Sequence, residues 1–101
     1  MVVGVLQMRL IIRDSRSLKD RRRVVLSLKD QIRHRFNVSV AEISDDTGTG
    51  LDTRKQALVG VAMATNDAAH ADEVLAGVVQ AARRIAAGLG AELVGYETET
   101  F

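Results

Sequence analysis

Residues 2–13 read VVGVLQMRLIIR, and their spacing sets the architecture of the chain. Every second residue from position 4 to position 12 is apolar or glycine: Gly4, Leu6, Met8, Leu10 and Ile12. A period of two is the spacing of a β-strand, so the pattern predicts a long strand with one fully apolar face. The other face is mixed, since Val3, Val5 and Ile11 alternate there with polar residues. A mixed face of this kind is often covered by a partner or by a second copy of the protein.

A long helix is predicted after the turn Asp14-Ser15-Arg16. Ser17 suits the N-cap, and Asp20 stands where a capping box would place Glu. The helix is expected to run to about Phe36 and to end at Asn37, a residue that tolerates the left-handed conformation. At 100° per residue its apolar side chains form one stripe: Leu18, Val24, Val25, Leu28, Ile32 and Phe36.

The remainder of the chain predicts two more strands, a helix and a final strand. Val38 to Ser44 and Thr53 to Ala64 are β-rich, and the Asp/Thr/Gly-rich segment Asp45 to Gly50 is typical of a hairpin loop. Thr65-Asn66-Asp67 is a capping cluster for a helix from Ala68 to Ala87, which Gly88 is expected to end. Glu92 to Thr100 completes the order. The stripe of this second helix is Ala71, Val74, Leu75, Val78, Ala82, Ile85 and Leu89.

The element order β-α-β-β-α-β is typical of an α+β fold, the ferredoxin-like sandwich. In that fold a four-stranded antiparallel sheet carries both helices on one face. Right-handed crossovers place the first and third strands in the middle and the fourth at an edge. The 101 residues suffice for a single domain spanning 1–101.

Composition excludes several classes of protein. The chain has no cysteine, which removes disulfide scaffolds, thiol nucleophiles and cysteine-based zinc sites. No apolar run approaches the roughly 18 residues of a membrane helix, so no membrane association is expected. The start Met1-Val2-Val3-Gly4 lacks the features of a secretory signal, and together these observations favour a cytoplasmic protein.

Catalytic signals are weak. Asp67 and His70 have the spacing of a metal-binding pair, but zinc requires three or four protein ligands, and a solvated capping turn is the better explanation of the pair. Gly48-Thr49-Gly50 is too short for a dinucleotide fingerprint or a P-loop, and no nucleophile elbow is present. The sequence therefore predicts no cofactor, no metal and no enzymatic activity.

Charge is unevenly distributed, although the net charge is only +1. Residues 1–36 hold ten basic and three acidic side chains, whereas residues 37–101 hold four basic and ten acidic ones. Such asymmetry indicates a nucleic acid or another acidic partner. The alternative is that the two halves fold against each other and neutralise their charges.

The first helix concentrates this positive charge on one side of its apolar stripe. On the helical wheel Lys19, Arg22, Lys29 and Arg33 are contiguous, Arg23 lies just beyond, and Leu26 falls inside the group. Arg13 and Arg16 extend it before the helix. We call this set the basic flank: Arg13, Arg16, Lys19, Arg22, Arg23, Lys29 and Arg33. Clustered cations bind a phosphate backbone by releasing condensed counterions, and a solvated helix face is the competing interpretation.

The aromatic content limits the mode of recognition. Only Phe36, Tyr96 and Phe101 are aromatic, and Phe36 belongs to the predicted core. Stacking of RNA bases on the sheet is therefore not expected. Any contact with nucleic acid should be electrostatic and weakly sequence-selective.

Three segments have a distinctive sequence: SLKDRRRV at 17–24, RFNVSVAE at 35–42, and Gly60-Val61-Ala62 with Thr65-Asn66-Asp67. They resemble segments of the bacterial YlxP-like family (domain of unknown function 503). The resemblance spans nearly the whole chain and implies a small ferredoxin-like protein, often encoded near translation-factor and ribosome-maturation genes. It implies no activity, ligand or catalytic residue. The segment from Asp46 to Lys55 departs from the family pattern.

Two functional hypotheses follow. The first is a non-enzymatic accessory factor that binds ribosomal RNA or a ribosomal subunit through the basic flank. The second is a homo-oligomeric structural or protein-interaction module that uses the outer sheet face at Val3, Val5 and Ile11. The two are compatible, because a two-fold dimer can place two basic helices on one surface.

Overall fold

The computed structural model describes residues 1–13, 16–43 and 55–101. It contains the elements in the predicted order. They are β1 (Val2–Ile12), α1 (Leu18–Arg35), β2 (Ser39–Glu42), β3 (Gln56–Thr65), α2 (Ala68–Gly88) and β4 (Ala91–Thr100). The ferredoxin-like sandwich predicted from the sequence is confirmed.

The four strands form one antiparallel sheet in the order β2-β3-β1-β4. The first and third strands are therefore central and the fourth lies at an edge, as predicted. β1 pairs with β3 from Val2↔Thr65 to Ile11↔Gln56 without interruption. The pairing of β1 with β4 shifts between Arg9 and Leu10, so that Val94 is an extra residue on β4. This bulge sets which β4 side chains lie beside each β1 side chain.

One face of the sheet is buried under both helices. The alternating β1 residues Leu6, Met8, Leu10 and Ile12 are at most 2% exposed and share one core with Leu28 of α1. α2 contributes a broader buried face than its predicted stripe, because Val79, Ala81 and Ala86 are buried as well. Small side chains let α2 approach β1 closely: a Cβ on Gly4 would lie 3.2 Å from the Cβ of Ala71. The other, outer face of the sheet carries no element among the described residues.

Ser17 caps α1 as predicted, accepting a hydrogen bond from the backbone N–H of Asp20 at 3.1 Å. The carboxylate of Asp20 does not close a capping box. It accepts instead from the backbone N–H of Arg16 at 3.2 Å, one residue before the cap. Asp67 likewise caps α2, accepting from the N–H of Ala69 at 3.0 Å.

Three local predictions are wrong. Leu18 is 48% exposed, because the buried residues of α1 begin only at Val25. Asn37 is not left-handed: Phe36 is already extended (φ −130°, ψ 144°), since the chain passes directly into β2, and no described non-glycine residue has a positive φ. Gly88 still belongs to α2, and the left-handed glycine is Gly90, with φ 75°.

Some predictions fall outside the described residues. These are Asp14 and Ser15 of the first turn, Ser44 and Thr53 at two strand ends, and the hairpin loop Asp45 to Gly50. In the described part of the chain, no helix has the length and apolar character needed to cross a membrane.

Candidate functional site

α1 presents a strongly basic surface to solvent. Its 18 residues include seven Lys or Arg and two Asp. Lys19, Arg22 and Arg23 are exposed, and Lys29 is partly buried. Within residues 1–13, 16–43 and 55–101, no carboxylate lies within ion-pair distance of these four side chains. The four side chains are therefore available to an external anion.

Two other members of the basic flank already have partners. Arg33 pairs with Asp30 one turn earlier at 2.7 Å, and Arg13 pairs with Glu92 of β4. Both pairs are exposed by about half or more of each side chain, so they contribute only a few tenths of a kcal/mol and exchange readily with solvent. Among the described residues, Arg13 is the only member of the flank that pairs with a carboxylate beyond residue 37.

Arg16 lies at the N-terminal border of α1 and is exposed. Its backbone N–H donates to Asp20, which fixes the chain just before the helix. Because the Asp20 carboxylate is turned toward this backbone group, Asp20 forms no ion pair with Lys19 or Arg23.

Arg21 was not assigned to any site from the sequence, yet it makes the most buried ionic contact among the described residues. Its Nε donates to the backbone carbonyl of Gln56 at 2.8 Å, and its guanidinium pairs with Glu42. The two side chains are only 16% and 31% exposed. The signal was available: Arg21 falls within the apolar stripe on the helical wheel, so it points toward the sheet. Its role is to tie α1 to the ends of β2 and β3.

The surroundings of the flank are aliphatic and polar. Leu26 is 55% exposed in the middle of the basic group, as the wheel predicted. Phe36 packs against α2, with its ring 3.3 Å from where a Cβ on Gly77 would lie. Tyr96 is on β4, and the Cζ of Arg83 lies 5.9 Å from the centroid of its ring. Among the described residues, the cation–π contact is that of Arg83 with Tyr96, and no cation of the flank lies over an aromatic ring.

The residues predicted for an interface all lie on the outer sheet face, with Val3 and Val5 at one end and Ile11 at the other. Directly opposite residues in an antiparallel pair share a face, so Val5 lies beside Ala62, and Ile11 lies beside Gln56. Val3, Val5 and Ile11 are each half-buried by these lateral neighbours and open to solvent above the sheet. Ile43 also lies on this face, because a Cβ on Gly60 would come within 2.5 Å of its Cδ1.

The pair Asp67 and His70 shows no sign of a metal site. Both residues are exposed, and the Asp67 carboxylate is engaged in capping α2. No group of three or more metal-ligating side chains comes together in the described ranges.

Comparison with known proteins identifies the relatives of this fold. Residues 3–98 match the model of a family described as a protein of unknown function, DUF503. The comparison with curated proteins gives no match.

Three solved structures illustrate the structural similarity. An amidase of the hydantoinase/carbamoylase family from Burkholderia multivorans has a TM-score of 0.55 and 16% identity, covering 99% of this chain and 27% of the amidase. A dinuclear metal binding peptidase of the M20 family from Bacillus subtilis has a TM-score of 0.52 and 19% identity, covering 98% and 25%. A C-terminal segment of the alpha subunit of aIF2 from Pyrococcus abyssi has a TM-score of 0.50 and 12% identity, covering 97% and 48%. The chain spans about half or less of each of these proteins, and at such identities the likeness concerns the fold.

Proposed function

This chain belongs to the DUF503 family, whose function is unknown, and we propose that it is a non-enzymatic, RNA-binding accessory factor. As a YlxP-like protein, it acts in the cytoplasm on ribosomal RNA or a ribosomal subunit. It holds the phosphate backbone through the basic flank of α1. The proposal includes no catalytic step and no cofactor.

One observation carries this proposal: Lys19, Arg22, Arg23 and Lys29 share one side of a helix and have no described ion-pair partner. A helix that served only to cover the sheet would tolerate neutral residues at these positions. Repulsion among four like charges instead costs stability, and an anionic partner would relieve it.

The dimensions of the group suit several phosphates. At 1.5 Å per residue, Lys19 and Lys29 are about 15 Å apart along the helix axis. Two of the four cations are arginines, whose guanidinium forks make bidentate contacts with phosphate oxygens. The exposed pair Arg33–Asp30 extends the group by one turn and can open when a phosphate competes for Arg33.

Recognition through such a surface follows the backbone. The described part of the flank offers no aromatic ring for stacking, and its one apolar member is Leu26. Phosphate contacts position a protein on nucleic acid but carry no sequence information. We therefore expect similar affinity for ribosomal RNA fragments of different sequence and equal length.

The test is a triple charge reversal, R22E/R23E/K29E, measured by fluorescence anisotropy with a ribosomal RNA fragment. These positions break no described ion pair, so the far-UV spectrum and the thermal midpoint should change little. Wild-type affinity should fall with salt at a log–log slope of about −3 for single-stranded RNA, as expected for four phosphate contacts. The variant should lose binding at physiological salt.

A matched control reverses three exposed cations outside the basic flank, R35E at the end of α1 together with K55E and R84E. It changes the net charge by the same amount, so it separates a localised surface from a general effect of net charge. Equal loss of affinity in both triple variants, or a flat response of the wild type to salt, would refute the proposal. Cosedimentation of the same three proteins with ribosomal subunits then tests the proposed partner.

A further inference from the structure

The outer face of the sheet has apolar groups at its two ends and a polar band between them. At one end Val3, Val5 and Ala62 lie together, and Phe101 extends them. Val3 and Phe101 exchange two backbone hydrogen bonds, of 3.0 and 2.8 Å, so their side chains share this face, and Phe101 is 70% exposed. We call this group the Val5 end.

Toward the opposite end Ile11, with Leu58 and Ile43 closer to the centre in the same row as Arg9, forms a second apolar group, which we call the Ile11 end. The backbone N–H of Ile43 donates to Leu58 at 2.8 Å, which continues the pairing of β2 with β3 beyond Glu42. All three side chains are partly exposed. Between the two ends lie Gln7, Arg9 and Glu97.

The polar band contains a shallow hollow of about 140 Å³, lined by Gln7, Arg9, Leu58, Gly95, Tyr96 and Glu97. The Arg9 side chain extends over Gly95, because a Cβ on Gly95 would lie 3.8 Å from its Nη1. Neither Arg9 nor Glu97 has an ion-pair partner among the described residues. The face thus presents one unpaired cation and one unpaired anion near its centre.

We infer that the outer sheet face binds a second copy of this chain, with the two sheets stacked about a two-fold axis that crosses the strands at Met8. This axis lies between the two sheets and is perpendicular to the strands. Each strand therefore lies over the same strand of the second copy and runs in the opposite direction. Val5 of one copy then lies over Ile11 of the other, and Leu58 of one copy lies over Gly60 of the other. An isologous interface requires this kind of self-complementarity.

The charges fit the same arrangement. In the register of β1 with β4, Glu97 lies beside Gln7, and Gly95 lies beside Arg9. The axis at Met8 exchanges these two rows, so Glu97 of one copy lies over Gly95 of the second copy, where the Arg9 guanidinium is. Two equivalent ion pairs form per dimer. The same axis places Glu99, which lies beside Val5, over Glu92 of the second copy, whose carboxylate pairs with Arg13.

The area of the face approaches that of a standard dimer interface. Three strands of about ten residues and one of four, about 4.8 Å apart and 3.3 Å per residue, give a face of about 540 Å² in projection. Its accessible area is larger, because side chains make the surface uneven. A standard interface buries about 800 Å² of accessible surface per partner.

The decisive experiment is a charge swap between chains, followed by light scattering coupled to size exclusion. The wild type should have a mass of about 22 kDa, twice the 11.0 kDa of one chain. R9E and E97R each place like charges together in a homodimer, so each should raise the dimer dissociation constant about tenfold or more. Mixing R9E with E97R restores opposite charges at both contacts. The mixture should therefore recover the dimer mass.

Two further variants complete the test, with far-UV spectra confirming the fold of each. V5K should yield monomers, because it buries a charge among the apolar residues of the Ile11 end. L18K, at an exposed apolar residue in the helical layer, should keep the dimer mass. A wild-type mass of one chain at every concentration overturns the inference, as do single charge variants that keep the dimer mass. A mixture that fails to recover overturns the two-fold arrangement. None of these results depends on RNA binding.

Discussion

Replacement of Arg21 with alanine will destabilise the fold more than replacement of any other described cation of α1. Arg21 joins three elements: its Nε donates to the carbonyl of Gln56 at the start of β3, and its guanidinium pairs with Glu42 at the end of β2. Without Arg21, the ends of the two strands lose these polar contacts with the helix and keep only its apolar packing.

The magnitude follows from burial. A hydrogen bond from a charged group contributes about 1.5–3 kcal/mol to stability. The side chains of the Arg21–Glu42 pair are 16% and 31% exposed, so this pair is intermediate between an exposed ion pair and a fully buried one. After Arg21 is removed, the Glu42 carboxylate is exposed enough to be hydrated, which reduces the cost of leaving it without its partner. We expect about 2 kcal/mol, which corresponds to a decrease of about 8–16 °C in the thermal midpoint of a domain of this size.

Chemical denaturation followed by circular dichroism measures the effect, and R33A is the control. Arg33 pairs with Asp30 at 48% and 58% exposure, so its removal should cost only about 0.3 kcal/mol. Both substitutions exchange Arg for Ala within one helix, so the difference in helix propensity cancels. An R21A variant no less stable than R33A would show that the contact with β2 and β3 does not stabilise the fold.

Two further changes test the packing and capping described above. G4A should lower the free energy of unfolding by about 1–3 kcal/mol, because the added Cβ would lie 3.1 Å from Leu75 and 3.2 Å from Ala71, both fully buried. The control G88A adds a Cβ that meets nothing within 4 Å, so it should be neutral or stabilising by about 0.5 kcal/mol. Equal urea midpoints for the two variants would contradict the close approach of α2 to β1. S17A should lower the free energy of unfolding by about 1 kcal/mol through loss of the hydrogen bond from Asp20, and an unchanged urea midpoint would show that the cap is dispensable.

The architecture could be predicted because its signals are local. The alternation in residues 4–12 matches the buried β1 side chains one for one, and Ser17 and Asp67 cap their helices as expected. The helix ends were less predictable, since several residue types suit a terminus. Gly88 and Gly90 are both plausible stops, and only the backbone geometry shows that the positive φ falls at Gly90.

For the basic flank, the sequence predicts which side chains α1 exposes but not which of them form ion pairs. The exposure of Arg22 and Leu26 follows from helical spacing. The contact of Arg13 with Glu92, 79 residues later in the chain, depends instead on the register between β1 and β4. The bulge at Val94 sets that register, and no local pattern reveals it. Arg21 shows the same limit, because its partners lie on two other strands.

The position of β1 in the sheet has a consequence for how the polypeptide matures. β1 is the earliest strand to be synthesised, yet one of its two neighbours is β4, whose pairing with it extends to Gly4↔Thr100. During vectorial synthesis, β1 can pair with β3 while its other edge stays open until β4 has emerged. Closure over such a separation is slow, and an open edge is where nascent chains associate wrongly. Chaperone dependence should therefore be greatest for nascent chains that contain β3 but lack β4.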